Sequence, residues 1–246
     1  MKILAADTSS AVASVAVMED STLLGEYTLN HKKTHSQKLV PMINEILKNL
    51  ELTPEEIDAF AVSIGPGSFT GLRIGVTTIK AMAYALQKQA IGVPTLDTLA
   101  FNIPFCDSLI CPIIDARNNQ VYTSLYEWKG KKQERLSEYV GITIGELIDT
   151  VKAKNREAFF VGDGVNVYKD TLLAELGNRC IFPPNNLLLQ RASAVAEIAI
   201  HMQVDGKGFE NEINTDKTNE NNLESWLTMV PFYLRKSQAE RLFEQR

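Results

Sequence analysis

The chain has 246 residues, of which 45% are hydrophobic and 22% charged, and a formal net charge of −5. That length supports one large domain or two of about 100–150 residues, and the composition is that of a globular protein with no apolar run near the roughly 20 residues that a bilayer span requires. An acidic balance gives no basic excess for direct nucleic-acid binding, and Cys106, Cys111 and Cys180 lack the pairing or spacing of a disulfide framework or a structural zinc site.

Residues 1–7 carry one basic side chain and then read as a buried strand, so no cleaved signal peptide is expected and the expected location is the cytoplasm. Residues 3–7, 12–17 and 22–29 have strand length and β-branched content, separated by turn-prone Asp7-Thr8-Ser9-Ser10 and Glu19-Asp20-Ser21. Thr34 or Ser36 can cap a helix to Leu50, whose Leu39, Val40, Ile43, Ile46 and Leu47 recur at helical spacing. Thr53-Pro54-Glu55-Glu56 opens a short helical turn, and residues 58–64 supply the next strand.

Ser63 to Arg73 then reads strand, Gly65-Pro66-Gly67 turn, and helix from Thr70 to about Gln87, with Ala81, Ala83 and Ala85 allowing close approach by another helix. The turn lacks the Lys-Ser/Thr ending of a Walker loop and the spacing of a dinucleotide fingerprint, which favours a packing role over an anion pocket. Arg73 is expected to bridge to a surface acid such as Asp58 or Glu55. Residues 90–93 form a short strand, 96–101 a brief helix, and a lobe boundary fits near Ile103-Pro104.

The second half repeats the opening pattern: strand 109–114, acidic turn at Asp115, strand 120–126. Residues 145–151, 168–176 and 192–202 read as helices, and strand 159–161 precedes Gly162-Asp163-Gly164. The predicted organisation is a lobe over 1–103 joined by the tail 225–246, a smaller lobe over 104–203, and a flexible polar linker over 204–224. His31 and His35 stand four apart, but no nearby acid completes a ligand set, so a cap or contact role is expected and no metal. Asp7 and Asp115 are equally suited to end a strand in a turn or to face a phosphate and its metal.

Met1 to Ser10, Thr34-His35-Ser36-Gln37, Ile64 to Arg73, Gly92-Val93-Pro94-Thr95-Leu96, Ile114-Asp115-Ala116-Arg117 and Pro231 to Arg235 together resemble the TsaB (YeaZ) family, partner subunits in bacterial threonylcarbamoyladenosine synthesis on tRNA. The resemblance is dense to about residue 126 and returns at the tail. It implies an α/β, two-lobed actin-like, Hsp70-like and sugar-kinase-like (ASKHA) fold, in which nucleotide normally sits between the lobes. Asp7, Thr8, Ser9, Asp115, Gly162 and Gly164 are then the candidates for a vestigial nucleotide site, with no cofactor expected.

The resemblance also implies a non-catalytic scaffold. In the family's catalytic relative, TsaD, two metal-binding histidines fall where this chain has Thr95 and Leu99, and Leu99 offers no ligand atom. The implied partners are a TsaD-like paralogue and a TsaE-like ATPase, with tRNA reached only indirectly and a homodimer as the form open to the chain alone. The candidate interface is His35, Leu39, Val40, Ile43 and Leu47 of the first helix with Thr70, Arg73, Thr77 and Ala81 of the second. The alternative reading is an ATP-dependent phosphotransferase of the same superfamily, working through Asp7 or Asp115 and a magnesium ion.

Overall fold

A computed structural model describes residues 1–31, 35–205 and 225–235. The chain divides into two compact units, the first made of Met1–Thr98 with Gln190–Phe232 and the second of Leu99–Leu189 with Tyr233–Arg246. The predicted linker and the end of the tail lie largely outside the described residues.

In the first unit β1 (Lys2–Asp7), β2 (Val12–Glu19) and β3 (Thr22–Asn30) form an antiparallel meander. Then follow α1 (His35–Asn49), β4 (Ala59–Gly65), α2 (Phe69–Leu86) and β5 (Gln89–Pro94). The strand order is β3-β2-β1-β4-β5, with β1, β4 and β5 parallel. A sheet covered on both faces explains why β1, β2 and β4 read as continuous apolar runs rather than as alternating ones. Leu39, Met42, Ile43, Ile46 and Leu47 of α1, with Leu72, Val76, Ile79 and Ala83 of α2, are buried. Each of the larger side chains contributes about 1.5–3 kcal/mol.

A later helix, α6 (Ala192–Asp205), is built into the first unit's core: Ala192, Val195, Ala196 and Ala199 meet Ile3, Ala5, Ala16, Ala59, Ala61 and Val93. The sequence placed this helix in the second lobe. Its stripe of small residues fits the alanine-rich face of the first sheet, and chain order carries no information about which sheet receives a helix. The unit boundary also falls inside α3 (Thr95–Phe101) rather than at Ile103-Pro104.

The second unit contains β6 (Leu109–Asp115), β7 (Gln120–Thr123), β8 (Tyr126–Lys129), β9 (Lys132–Arg135), β10 (Val140–Thr143), α4 (Ile144–Lys154), β11 (Ala158–Val161), α5 (Val165–Leu176) and β12 (Cys180–Ile181). The predicted single strand over 120–126 is thus two: β7 pairs with β6 and β10, and β8 pairs with β6 and β9. The path β10-β7-β6-β11-β12 repeats the first unit's order, two antiparallel neighbours followed by two parallel ones. This is the two-lobed α/β plan that the resemblance implies. Among the described residues no helix is long and apolar enough to cross a membrane.

All three cysteines are free thiols. Burial pushes the Cys111 thiol up to about 12 and the Cys180 thiol up to about 11, whereas Cys106 is only partly buried. The thiolate is the reactive form. Alkylation of the native chain at pH 8 is therefore expected to label Cys106 first and to reach Cys111 and Cys180 only on unfolding, which peptide mass mapping checks.

Candidate functional site

The turn after β1 is a closed hydrogen-bonded knot. Asp7, Thr8 and Ser9 are fully buried. Oδ1 of Asp7 accepts from the Ser9 N–H at 2.8 Å and from Ser9 Oγ at 2.7 Å, while Oδ2 accepts from Ser63 Oγ on β4. Thr8 Oγ1 donates to the Gly71 carbonyl at 2.8 Å, and the Ser68 N–H donates to the Ser9 carbonyl at 2.7 Å. His35 Nε2 lies 2.7 Å from the Ser10 carbonyl, and Ser10 Oγ donates to Gln190 Oε1 at 2.8 Å.

The glycines that follow β4 exist for this contact. A Cβ on Gly67 would overlap the Ser9 carbonyl oxygen, one on Gly71 the Thr8 carbonyl oxygen, and one on Gly75 the Thr8 hydroxyl. Positions 67, 71 and 75 are four apart, so two turns of α2 and its lead-in press backbone against the β1 turn. That periodic glycine spacing was visible in the sequence, as was Ser68 at the helix start, which accepts from the Gly71 N–H at 3.3 Å. Ser63, the second anchor of Asp7, carried no such signal.

Burial raises the Asp7 pKa, opposed by the hydrogen bonds from Ser63 and Ser9 and by the nearby charge of His35. Hydrogen bonds to a charged acceptor contribute about 1.5–3 kcal/mol each, yet taking an ionised carboxylate fully out of water costs more, so the proton is held more tightly than in an exposed carboxyl. These bonds tie the β1 turn to β4 and to the start of α2.

In the second unit Asp115 ends β6 and accepts from the Arg117 N–H at 3.0 Å, while its own N–H donates to Asp163 Oδ1 at 3.1 Å. Arg117 Nη1 lies 3.6 Å from Asp115 Oδ2. Burial raises the Asp163 pKa, opposed by the Asp115 N–H and reinforced by the Asp115 charge. Gly162 has φ +109°, and a Cβ there would overlap the Ile113 carbonyl oxygen; the Gly164 N–H donates to the same oxygen at 3.1 Å. Both glycines therefore serve the close approach of the β6 and β11 ends. Among the described residues no group of three or more His, Cys, Asp or Glu side chains is placed to hold a metal ion.

The candidate interface divides by burial. Val40 is 48% exposed, and Thr70, Arg73, Thr77 and Ala81 are exposed along α2. Leu39, Ile43 and Leu47, expected at the same face, are buried in the core beneath α1. They form the inner stripe of the helix, and helical spacing alone did not say which apolar residues turn inward. His35 is half-buried against the Ser10 carbonyl. Arg73 stacks its guanidinium over the Phe69 ring at 4.0 Å, an arrangement not foreseen in the sequence. Ser36, Leu39 and Val40 of α1 line a shallow groove with Arg73, Ile74, Thr77 and Thr78 of α2. Thr95 and Leu99 on α3 are both fully buried.

The family model of TsaD, tRNA N6-adenosine threonylcarbamoyltransferase, matches residues 22–243. The TsaB tRNA threonylcarbamoyladenosine biosynthesis protein of Bacillus subtilis (strain 168) is 35% identical over 179 residues, covering 73% of this chain and 78% of that protein. The chain belongs to the TsaB (YeaZ) family. The Escherichia coli (strain K12) TsaB is 31% identical over 216 residues, 84% of this chain and 89% of that one. The solved structure of a Pseudomonas aeruginosa protein with similarity to peptidase YeaZ superposes with a TM-score of 0.75, covering 95% of this chain and 99% of that one at 24% identity, which establishes the shared fold. In this TsaB-family chain the glycine-packed β1 turn and the α1–α2 pair belong to the first unit of that fold.

Because the Asp7 proton is held more tightly in the folded than in the unfolded chain, its contribution to stability is full below the unfolded carboxyl value of about 3.9 and is lost as pH rises through the raised folded value. The Asp7→Asn variant lacks this dependence. Urea unfolding from pH 4 upward is expected to show the wild type losing stability relative to Asp7→Asn as pH rises; a difference independent of pH would contradict the assignment.

Proposed function

We propose that this chain is a non-catalytic partner subunit that binds a TsaD-like paralogue and supports threonylcarbamoyl transfer to the adenosine next to the tRNA anticodon. It works in the cytoplasm, alongside a TsaE-like ATPase, and meets tRNA only through its partner. The observation that carries this reading is the exposed strip shared by two neighbouring helices, Val40 on α1 with Thr70, Arg73, Thr77 and Ala81 on α2. Its side chains are small or short except for Arg73, so a second helix pair can approach closely and complete a four-helix contact.

The chemistry of the chain supports the same reading. Asp7, one of the two acids through which a phosphotransferase would order its magnesium, already accepts three hydrogen bonds from Ser9 and Ser63. Where TsaD carries its metal ligands by resemblance, this chain has Thr95 and Leu99, and an aliphatic side chain cannot ligate. Kinship with a transferase family is compatible with a subunit that kept the fold and the docking helices without the reactive groups.

Val40→Glu and Ala81→Glu are the direct tests. Both positions are exposed, so the unfolding midpoint of the free chain is expected to stay unchanged. Burying an unpaired charge on docking costs several kcal/mol, so affinity for the paralogue should fall at least tenfold, read by co-elution and by formation of modified tRNA. Undiminished co-elution of both variants would remove this interface. A second measurement addresses the chemistry: the chain alone, given ATP and magnesium with small acceptors, is expected to yield no phosphorylated product, and steady turnover without a partner would overturn the subunit reading.

A further inference from the structure

Residues 225–232 form a strap that packs on the C-terminal half of α2 and on β5, beginning with the short helix α7 (Ser225–Thr228). Its rear half is firmly seated. Met229 is buried, and its carbonyl accepts from Lys80 Nζ at 2.8 Å. The Phe232 N–H donates to the Ile64 carbonyl at 2.7 Å. Gly65, at φ +124°, leaves room for the Phe232 carbonyl, and Gly92 leaves room for Met229 and Ile64. Two glycines and a lysine whose places the strand and helix patterns leave unexplained are accounted for by this seat.

The front half is held differently. The Trp226 ring stands edge-on to Tyr84 with centroids 4.7 Å apart, while its indole N–H is sealed from solvent with no acceptor among the described residues. A buried donor without a partner is unfavourable, because the hydrogen bond it makes to water in the open chain is not replaced. Tyr84 and Leu227, beside it, are each 57% exposed. Tyr84 also follows Thr70, Arg73, Thr77 and Ala81 at intervals of three and four, so it continues the exposed stripe of α2 to the helix end.

We infer that the front of the strap is a moving part of the docking surface: the TsaD-like chain that covers the α2 stripe also covers Tyr84 and Leu227 and supplies the acceptor that Trp226 Nε1 lacks. This inference rests on the partner-subunit reading and names the region of that surface which readjusts on binding. The continuity of Tyr84 with the stripe places the occupant. The unpaired indole and the exposed Leu227 identify the half of the strap that has an interaction to gain.

The test uses the full-length chain and the purified paralogue. Trp226→Phe keeps a ring against Tyr84 and removes the N–H; Leu227→Asp changes a residue that is exposed in the free chain. Thermal unfolding of free Trp226→Phe is expected at or above the wild-type midpoint, while its affinity for the paralogue falls about fivefold, the scale of one lost hydrogen bond. Leu227→Asp is expected to leave the midpoint unchanged and to weaken binding tenfold or more. Wild-type binding with both variants unchanged overturns the inference. So does a parallel loss of free stability and affinity in Trp226→Phe, which would make the tryptophan a structural seat alone, and so does a dependence confined to self-association of this chain. Failure of the wild type itself to bind the paralogue is a separate result that removes the subunit reading.

Discussion

The first unit depends on a backbone-to-backbone contact: the glycine face of α2 and its lead-in, Gly67, Gly71 and Gly75, lies directly on the turn formed by Asp7, Thr8 and Ser9. Any side chain at these glycines would displace the helix from the sheet. Because the approach is so close, Thr8 and Ser9 bond to α2 and its lead-in, and Asp7 reaches Ser63 on β4. The same contact sets the roll of α2. With Leu72, Val76, Ile79 and Ala83 directed inward, Thr70, Arg73, Thr77 and Ala81 are left to solvent. The exposed strip of α2 and the strap's seat on Lys80 and Tyr84 follow from that rotation.

The two units repeat one topology and treat its acidic turn differently. In the first, the carboxyl of Asp7 is fully buried and satisfied by two serines. In the second, Asp115 and Asp163 are linked through a backbone N–H, with Arg117 alongside and the Asp115 side chain 14% exposed. Burial raises the carboxyls of both Asp7 and Asp163, opposed by hydrogen bonds in each case. A shared fold therefore does not fix the chemistry of corresponding turns; the neighbours of each carboxyl do.

Much of the fold was legible from residue patterns. The meander of β1 to β3, the helices α1 and α2 and the strand, acidic turn, strand echo at Asp7 and Asp115 all follow from apolar periodicity and turn residues, because those signals act within a few residues along the chain. The destination of α6 did not follow, since its partners Ile3 and Ala61 are far away in sequence. The candidate interface was half legible. Leu39, Ile43 and Leu47 share the apolar character of Val40, and only the packed sheet decides that three of the four turn inward. In the β8–β9 hairpin, Tyr126 and Trp128 alternate with charged residues over only four positions and β9, Lys132–Arg135, has no apolar residue, so the pairing was not legible.

The sequence by itself determined the family and the element order around the glycine turn, since residue identity and spacing are local properties. Tertiary structure alone decided that Asp7 is sealed by Ser63, that α6 belongs with the first sheet, that Arg73 stacks on Phe69, and that the half-buried Trp226 packs on Tyr84 with its Nε1 sealed and without an acceptor among the described residues. Burial and hydrogen-bond satisfaction depend on which distant segments meet, and that is settled only when the whole chain has packed.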